Sequence, residues 1–238
     1  NGNGDALTPG YAATKNAPRI DPKESKGLVK IPSLPISSSN AKSIIKKHGK
    51  KLGNTGTEAI LKIKQDKSLQ KICNVIGTIK GGDGVQQSES IIIGAHRDAW
   101  GRGATDNGTG STVLLETARL LGIRFQNGWK PKRTIIVASW DAEEWGLVGS
   151  TEWVEENKRA LIESAVAYIN LDVAATGPNL SATCTPGLSQ VITEACKKMN
   201  LEPPTRIGVP GGGSDHVPFI EIVGVEVAGF GFRGASGV

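Results

Sequence analysis

From about residue 67 the chain alternates between two apolar periods. Residues 72–79 predict a strand, and Ile91-Ile92-Ile93 is a short, wholly apolar run suited to the centre of a sheet. Over residues 109–121 the period lengthens, and Val113, Leu114, Ala118 and Leu121 fall on one helical face. Residues 134–139 predict a second central strand, and a helix starting near Gly146 carries Leu147, Thr151 and Val154. A third strand over 166–171 runs into Asp172. A helix over 188–199, a short one over 217–222 and a strand over 223–228 complete the alternation. This pattern predicts an α/β fold, its mixed or largely parallel sheet covered on both faces. There is no internal repeat.

Residues 1–40 lack such order. They are rich in Gly, Pro, Ser and Asn, and 7–11 and 31–36 read as extended, turn-punctuated segments. Ser39 or Asn40 is placed to cap a helix over 41–47, closed by Gly49. Residues 1–66 therefore read as a connector or the edge of another domain, and 67–238 as the α/β domain.

Composition removes several function classes. Of 238 residues, 38% are hydrophobic and 21% charged, as in an ordinary globular chain. The net charge of +5 is concentrated in residues 42–51 and 62–71. No aromatic residues interleave with those lysines and no nucleic-acid motif accompanies them, so they read as a solvated helical face rather than a nucleic-acid surface. Cys73, Cys184 and Cys196 are too few and too scattered for a disulfide framework or a zinc knuckle. No apolar run reaches 18 residues, so no membrane contact is expected within the chain.

The chemistry gathers where strands end. His96 follows the first central strand, Asp106 lies ten residues on in a glycine-rich loop, Glu143-Glu144 follow the second strand and Asp172 the third. Imidazole and carboxylate are the ligands zinc accepts where cysteine is absent. A carboxylate can also bridge two cations, and two metals about 3.5–4 Å apart can activate a water and polarise a carbonyl. Two zinc ions bring four positive charges, against which Asp106, Glu144 and Asp172 set three. Glu143 is then free to move a proton. Asp98, two residues past His96 on an extended backbone, is placed to hydrogen-bond the imidazole. Taken singly, each of these is an ordinary turn, cap or helix start. At consecutive strand ends they become specific.

Several stretches resemble the zinc-exopeptidase family of glutamate carboxypeptidase II, the N-acetylated alpha-linked acidic dipeptidases and the transferrin receptor. They are 96–100, Asp106, 138–147, 149–153 and 167–172, with 184–186 also fitting. Residues 4–11 resemble the end of that family's protease-associated (apical) domain. The resemblance implies a three-layer α/β sandwich with a mixed, mostly parallel sheet, preceded by the tail of the apical domain. It implies two Zn2+ ions: His96 and Asp172 on one, Glu144 on the other, Asp106 bridging, with Glu143 as general base and acid.

The family's remaining ligand, a histidine after a tyrosine, lies beyond the strand at 223–228, and the chain reaches Val238 without it. The second zinc site is expected to be incomplete, and the fragment alone inactive. Residues 211–219 resemble a loop lining the substrate pocket, which makes Gly213, Ser214 and Asp215 candidates for substrate binding and His216 a pocket or structural residue. Locally the same stretch reads as a glycine turn capped by Ser214 or Asp215, with Pro218 in the first helical turn. In place of the family's arginines, residues 227–232 supply Phe230 and Phe232, a more apolar wall; Arg102 and Arg233 remain possible partners for a substrate carboxylate.

The activity implied is hydrolysis of peptide bonds in small peptides, from either the carboxyl or the amino end. A non-catalytic receptor or scaffold, as in the transferrin-receptor branch, is the alternative. For the full-length protein the likeness implies a homodimer, anchored in a membrane with its catalytic domain extracellular or in a vacuolar or other lumen. Asn179-Leu180-Ser181 and Asn107-Gly108-Thr109 match the N-glycosylation pattern, the second beside the metals.

Overall fold

The computed structural model describes residues 3–48, 60–66, 68–204 and 206–234. Much of the lysine-rich stretch at 42–71, with the glycine expected to close the first helix, lies outside them. That helix, α1 (Ser38–His48), starts three residues before the expected position, and Lys42, Lys46 and Lys47 on it are exposed.

Seven strands follow: β1 (Val75–Ile79), β2 (Ser90–His96), β3 (Thr134–Trp140), β4 (Ala165–Asn170), β5 (Asn179–Cys184), β6 (Ile207–Gly208) and β7 (Glu226–Arg233). They form one sheet in the order β1-β3-β2-β4-β7-β5-β6. The central ladders β3–β2, β2–β4 and β4–β7 are parallel, while β1 on β3 and β5 on β7 are antiparallel. The sheet is therefore mixed and α/β, with helices on both faces.

Alternation along each strand divides two cores. Ile92, Ala138, Trp140, Tyr168 and Val227 face α3 (Val148–Glu156), α4 (Lys158–Ser164) and α6 (Val217–Glu221), packing on Val154, Leu161 and Phe219. On the opposite face Ala95 and Leu171, with Ile93 and Val137, pack on Leu114 of α2 (Gly108–Gln126). There too Ala182, Cys184 and Ala228 pack on Ile192 and Cys196 of α5 (Ser189–Lys198).

Some elements differ from the periodicity. β1 begins at Val75 rather than 72, because groups from the loop after β3 occupy the preceding backbone. The Cys73 N–H donates to Asp141 Oδ2, and Asn74 bonds the Asp141 N–H and the Gly149 carbonyl. The last strand starts at Glu226 and extends to Arg233, where pairing with β5 sustains it. Two short strands, β5 and β6, were not visible in the apolar pattern. β5 is a run of small and polar residues whose strand character comes from its pairing with β7 and, over two residues, with β6.

Residues 3–37 form turns and bends, with no helix and no strand. They nevertheless fold onto the domain: Gly4 N–H donates to the Gly146 carbonyl, and Asp5 and Ala13 N–H groups donate to the two oxygens of Glu152 on α3.

Candidate metal centre

His96 ends β2 and is buried. The Ser111 hydroxyl in the first turn of α2 donates to its carbonyl (2.8 Å), fixing the strand end to the helix. Its Nδ1 lies 3.1 Å from the Asp98 carbonyl and 3.5 Å from Asp98 Oδ1. A ring N–H on that nitrogen leaves Nε2 to the cluster. Nε2 then lies 3.1 Å from Asp106, 3.3 Å from Asp172 and 3.8 Å from Glu143. Asp98 also accepts from the N–H groups of Glu143 (3.0 Å) and Glu144 (3.1 Å), so one carboxylate orients the imidazole and the following strand end together.

Asp106 and Asp172 are brought together by a buried asparagine. Asn107 Oδ1 accepts from Gly110 N–H at the start of α2 and from Val173 N–H beyond β4, and its Nδ2 donates to the Leu171 carbonyl. A Cβ at Gly110 would collide with both the Leu171 carbonyl and the Asn107 amide, so that position needs glycine. Ala142, Leu147 and Val173 have φ of 55°, 54° and 50°, left-handed values that cost a side chain about 1–3 kcal/mol each. They flank Glu143-Glu144 and Asp172. Val173 is β-branched and especially disfavoured there; the Asn107 bond to its N–H and Arg233 on its carbonyl hold it.

The charges are unbalanced. Burial raises the Glu143 carboxyl to about 8; Asp215, Asp172 and Glu144 add to the rise, and His96 opposes it. Burial also raises Asp215 to about 7, with Asp172 and Asp98 adding to it against the Ser150 hydroxyl and His96. Asp215 is fully buried, and neither of its oxygens has a well-aligned hydrogen-bond donor; the Ser150 hydroxyl points to the Leu147 carbonyl. For His96, burial works against the charged form, but the Asp172 hydrogen bond and the charges of Asp172, Glu143 and Asp215 outweigh it and raise the ring to about 10. One imidazole thus faces an excess of buried carboxylates. That is the donor set of a divalent-metal site, and the residues fit zinc.

The expected residues do not all occupy equivalent places. His96, Glu143 and Asp172 present ligand atoms within 4.8 Å of one another, so the adjacent glutamate at the centre is Glu143. Glu144 is half-buried, raised by burial and then by Asp106, and reached by the Trp100 side chain. Gly213 is exposed, whereas Ser214 and Asp215 are buried beneath the cluster. His216 instead lines a cleft of about 190 Å³ beside Asp172, with Phe230, Gly231 and Arg233. Its Nε2 lies 2.7 Å from the Gly211 carbonyl. Arg233 is turned to the carbonyls of Val173 and Asp172. Arg102 is exposed. Asn107 is buried, which leaves Asn179, exposed on β5, as the accessible glycosylation pattern.

Sequence reasoning did not single out Asn107 as a structural lock, nor Tyr168, Asn170 and the exposed Trp100–Trp145 pair, whose ring centroids are 4.9 Å apart. The two tryptophans follow His96 and Glu144 closely in sequence, which was a usable signal. The contacts of Tyr168 and Asn170 depend on other strands and had none.

A mixed α/β sandwich that gathers an imidazole and several carboxylates at its strand ends is built as a metallohydrolase. Residues 74–236 match the model of peptidase family M28, and the chain belongs to that family. It is 38% identical to the probable glutamate carboxypeptidase LAMP1 of Arabidopsis thaliana, covering 94% of this chain and 37% of that protein. It is 35% identical to the inactive zinc metalloprotease C354.09c of Schizosaccharomyces pombe, covering 84% and 28%. Among solved structures, BSAP, a zinc aminopeptidase from Bacillus subtilis, is similar with a TM-score of 0.58 and 28% identity, over 66% of this chain and 39% of that one. The chain spans about a third of the length of these curated relatives.

Proposed function

We propose that the chain carries the core of a di-zinc exopeptidase that hydrolyses peptide bonds of small peptides. One observation carries the reading: His96, Asp106, Glu143 and Asp172 converge within a few ångströms at the ends of neighbouring strands. His96 and Asp172 would hold one zinc and Glu144 the other, with Asp106 between them. Bound there, the metals supply Lewis acidity toward a substrate carbonyl and a water.

The chain's own residues do the rest. Asp98 holds the imidazole and the Glu143-Glu144 backbone in one register. Glu143 takes a proton from the attacking water and returns it to the leaving amine. Its raised proton affinity supports that role, since a group that titrates near neutrality can do both. The cleft beside Asp172 has room for a terminal residue rather than an extended peptide. Phe230 gives it an apolar wall, and Arg233 is engaged by backbone carbonyls, which favours an apolar side chain there over glutamate.

The test is Glu143→Gln in the full-length protein. Peptidase activity should fall by about 10²–10⁴-fold with zinc content unchanged; wild-type activity would remove Glu143 from the mechanism. N-blocked acidic dipeptides assayed against free-amine substrates decide between carboxypeptidase and aminopeptidase. The rival is a non-catalytic scaffold, favoured by the relative named inactive. A full-length protein purified without zinc and unable to take it up would support the rival.

For the parent protein, the family likeness supports a homodimer, with an anchor holding the catalytic domain on the extracellular or lumenal side. It also supports reading residues 1–66 as the end of an apical domain and a connector. Within this chain, no described helix is long and apolar enough to cross a membrane.

A further inference from the structure

A directed chain of hydrogen bonds runs from the hydrophobic core to Ser214, beside Asp172. Trp140 Nε1 donates to the Tyr168 hydroxyl (2.9 Å), which donates to Asn170 Oδ1 (2.9 Å). The same amide donates through Nδ2 to Ser214 Oγ (2.8 Å), and the Ser214 hydroxyl is among the groups that hold the Asp172 carboxyl below its usual value. Trp140, Tyr168, Asn170 and Ser214 are all at least 95% buried, so water does not substitute for any link.

The direction is set at the far end. An indole N–H can only donate, so the phenol oxygen that receives it sends its own hydrogen onward. That presents the amide oxygen to Tyr168 and the amide nitrogen to Ser214. Having accepted from nitrogen, Ser214 keeps its single hydrogen for the neighbouring Asp172 carboxylate. Gly94 keeps the first link open: a Cβ there would collide with both Trp140 Nε1 and the Tyr168 hydroxyl.

We propose that Ser214 is a positioning residue, through which this buried relay fixes the rotation of the Asp172 carboxylate and so sets its affinity for metal. The inference rests on reading Asp172 as a metal ligand. Asp172 Oδ1 faces His96 Nε2 at 3.3 Å, and a carboxylate free to rotate would present that oxygen only part of the time. Groups that orient a ligand in this way typically alter metal affinity by about 10–100-fold. Ser214 itself is buried and does not line the cleft beside Asp172.

Titration of the metal-free full chain with cobalt(II) tests this, reading the dissociation constant and the visible absorption of the bound ion. Ser214→Ala should bind about 10–100-fold more weakly, with a shifted spectrum, while Ser214→Thr, which keeps the hydroxyl, stays within about threefold of wild type. Tyr168→Phe frees the Asn170 amide to turn and should weaken binding in the same direction. Circular dichroism of the metal-free variants checks that each is folded. A folded Ser214→Ala with wild-type affinity and spectrum overturns the proposal. Should that variant not fold, wild-type cobalt affinity in Tyr168→Phe overturns it instead. If the wild-type chain takes up no cobalt, the metal-ligand reading of Asp172 falls and takes this inference with it; equal binding by wild type and variants removes the relay alone.

Discussion

Among the described residues His96 is the one imidazole in the acidic cluster, and its proton is what a metal ion must displace. Without metal its pKa is raised to about 10 and that of Glu143 to about 8, so both hold protons at pH 7. An imidazole ligates only when neutral, so zinc and proton compete for Nε2. Zinc binding at pH 7 should therefore release at least one proton per chain. Calorimetric titration in buffers of different ionisation enthalpy measures this, and a heat independent of buffer would sink the idea. Because the metal-free site gives up its proton more readily as pH rises, affinity should increase with pH through neutrality.

Among the elements, α2 and β4 are joined by one side chain. Asn107 caps the helix and also satisfies the Leu171 carbonyl and the Val173 N–H. Asn107→Ala removes the cap and leaves buried polar groups unpaired, so it should cost about 2–4 kcal/mol by denaturant unfolding. A loss below about 0.5 kcal/mol would mean that the loop is held elsewhere. On α3 the liability is Glu155, raised to about 7 by burial and then by Glu152 against Lys158, with Oε2 buried and unpartnered. Its folded pKa lies above the unfolded value, so the native state binds the proton more tightly. Stability from this group is full below about pH 4.5 and is lost as pH rises toward 7. Glu155→Gln should melt higher than wild type at pH 8, and the difference should vanish by about pH 4.5; a constant difference across that range would contradict the assignment.

At the scale of the whole molecule, the N-terminal segment is fastened through Glu152, whose two oxygens receive the Asp5 and Ala13 N–H groups. Among the described residues Glu152 bonds none of the metal cluster's side chains. Glu152→Ala should therefore expose the first 25 or so residues to limited proteolysis without changing zinc affinity. Protection equal to wild type would show that the turns around Ser25 and Thr8, both buried, hold the segment unaided.

Much of this architecture was legible in the residues. Apolar runs at 91–93 and 134–139 marked the central strands because a parallel strand buried on both faces needs continuous β-branched residues. The break from each run into His96, Glu143 and Asp172 marked the site, since carboxylates and imidazole at consecutive strand ends have few structural uses. β5 was not legible: its small and polar residues become a strand only through pairing, chiefly with β7. The α-helical start at Val148, two residues past the expected Gly146, follows from the left-handed Leu147. Sequence alone thus determined the fold class, the family likeness and the set of chemically active side chains, because local period and residue type encode them. Tertiary structure alone decided that Glu143 rather than Glu144 joins His96 and Asp172, that Ser214 and Asp215 lie beneath the cluster, and that Arg233 is held by backbone carbonyls. Those outcomes depend on which strands lie side by side and on which polar groups meet across them, and no local pattern carries that information.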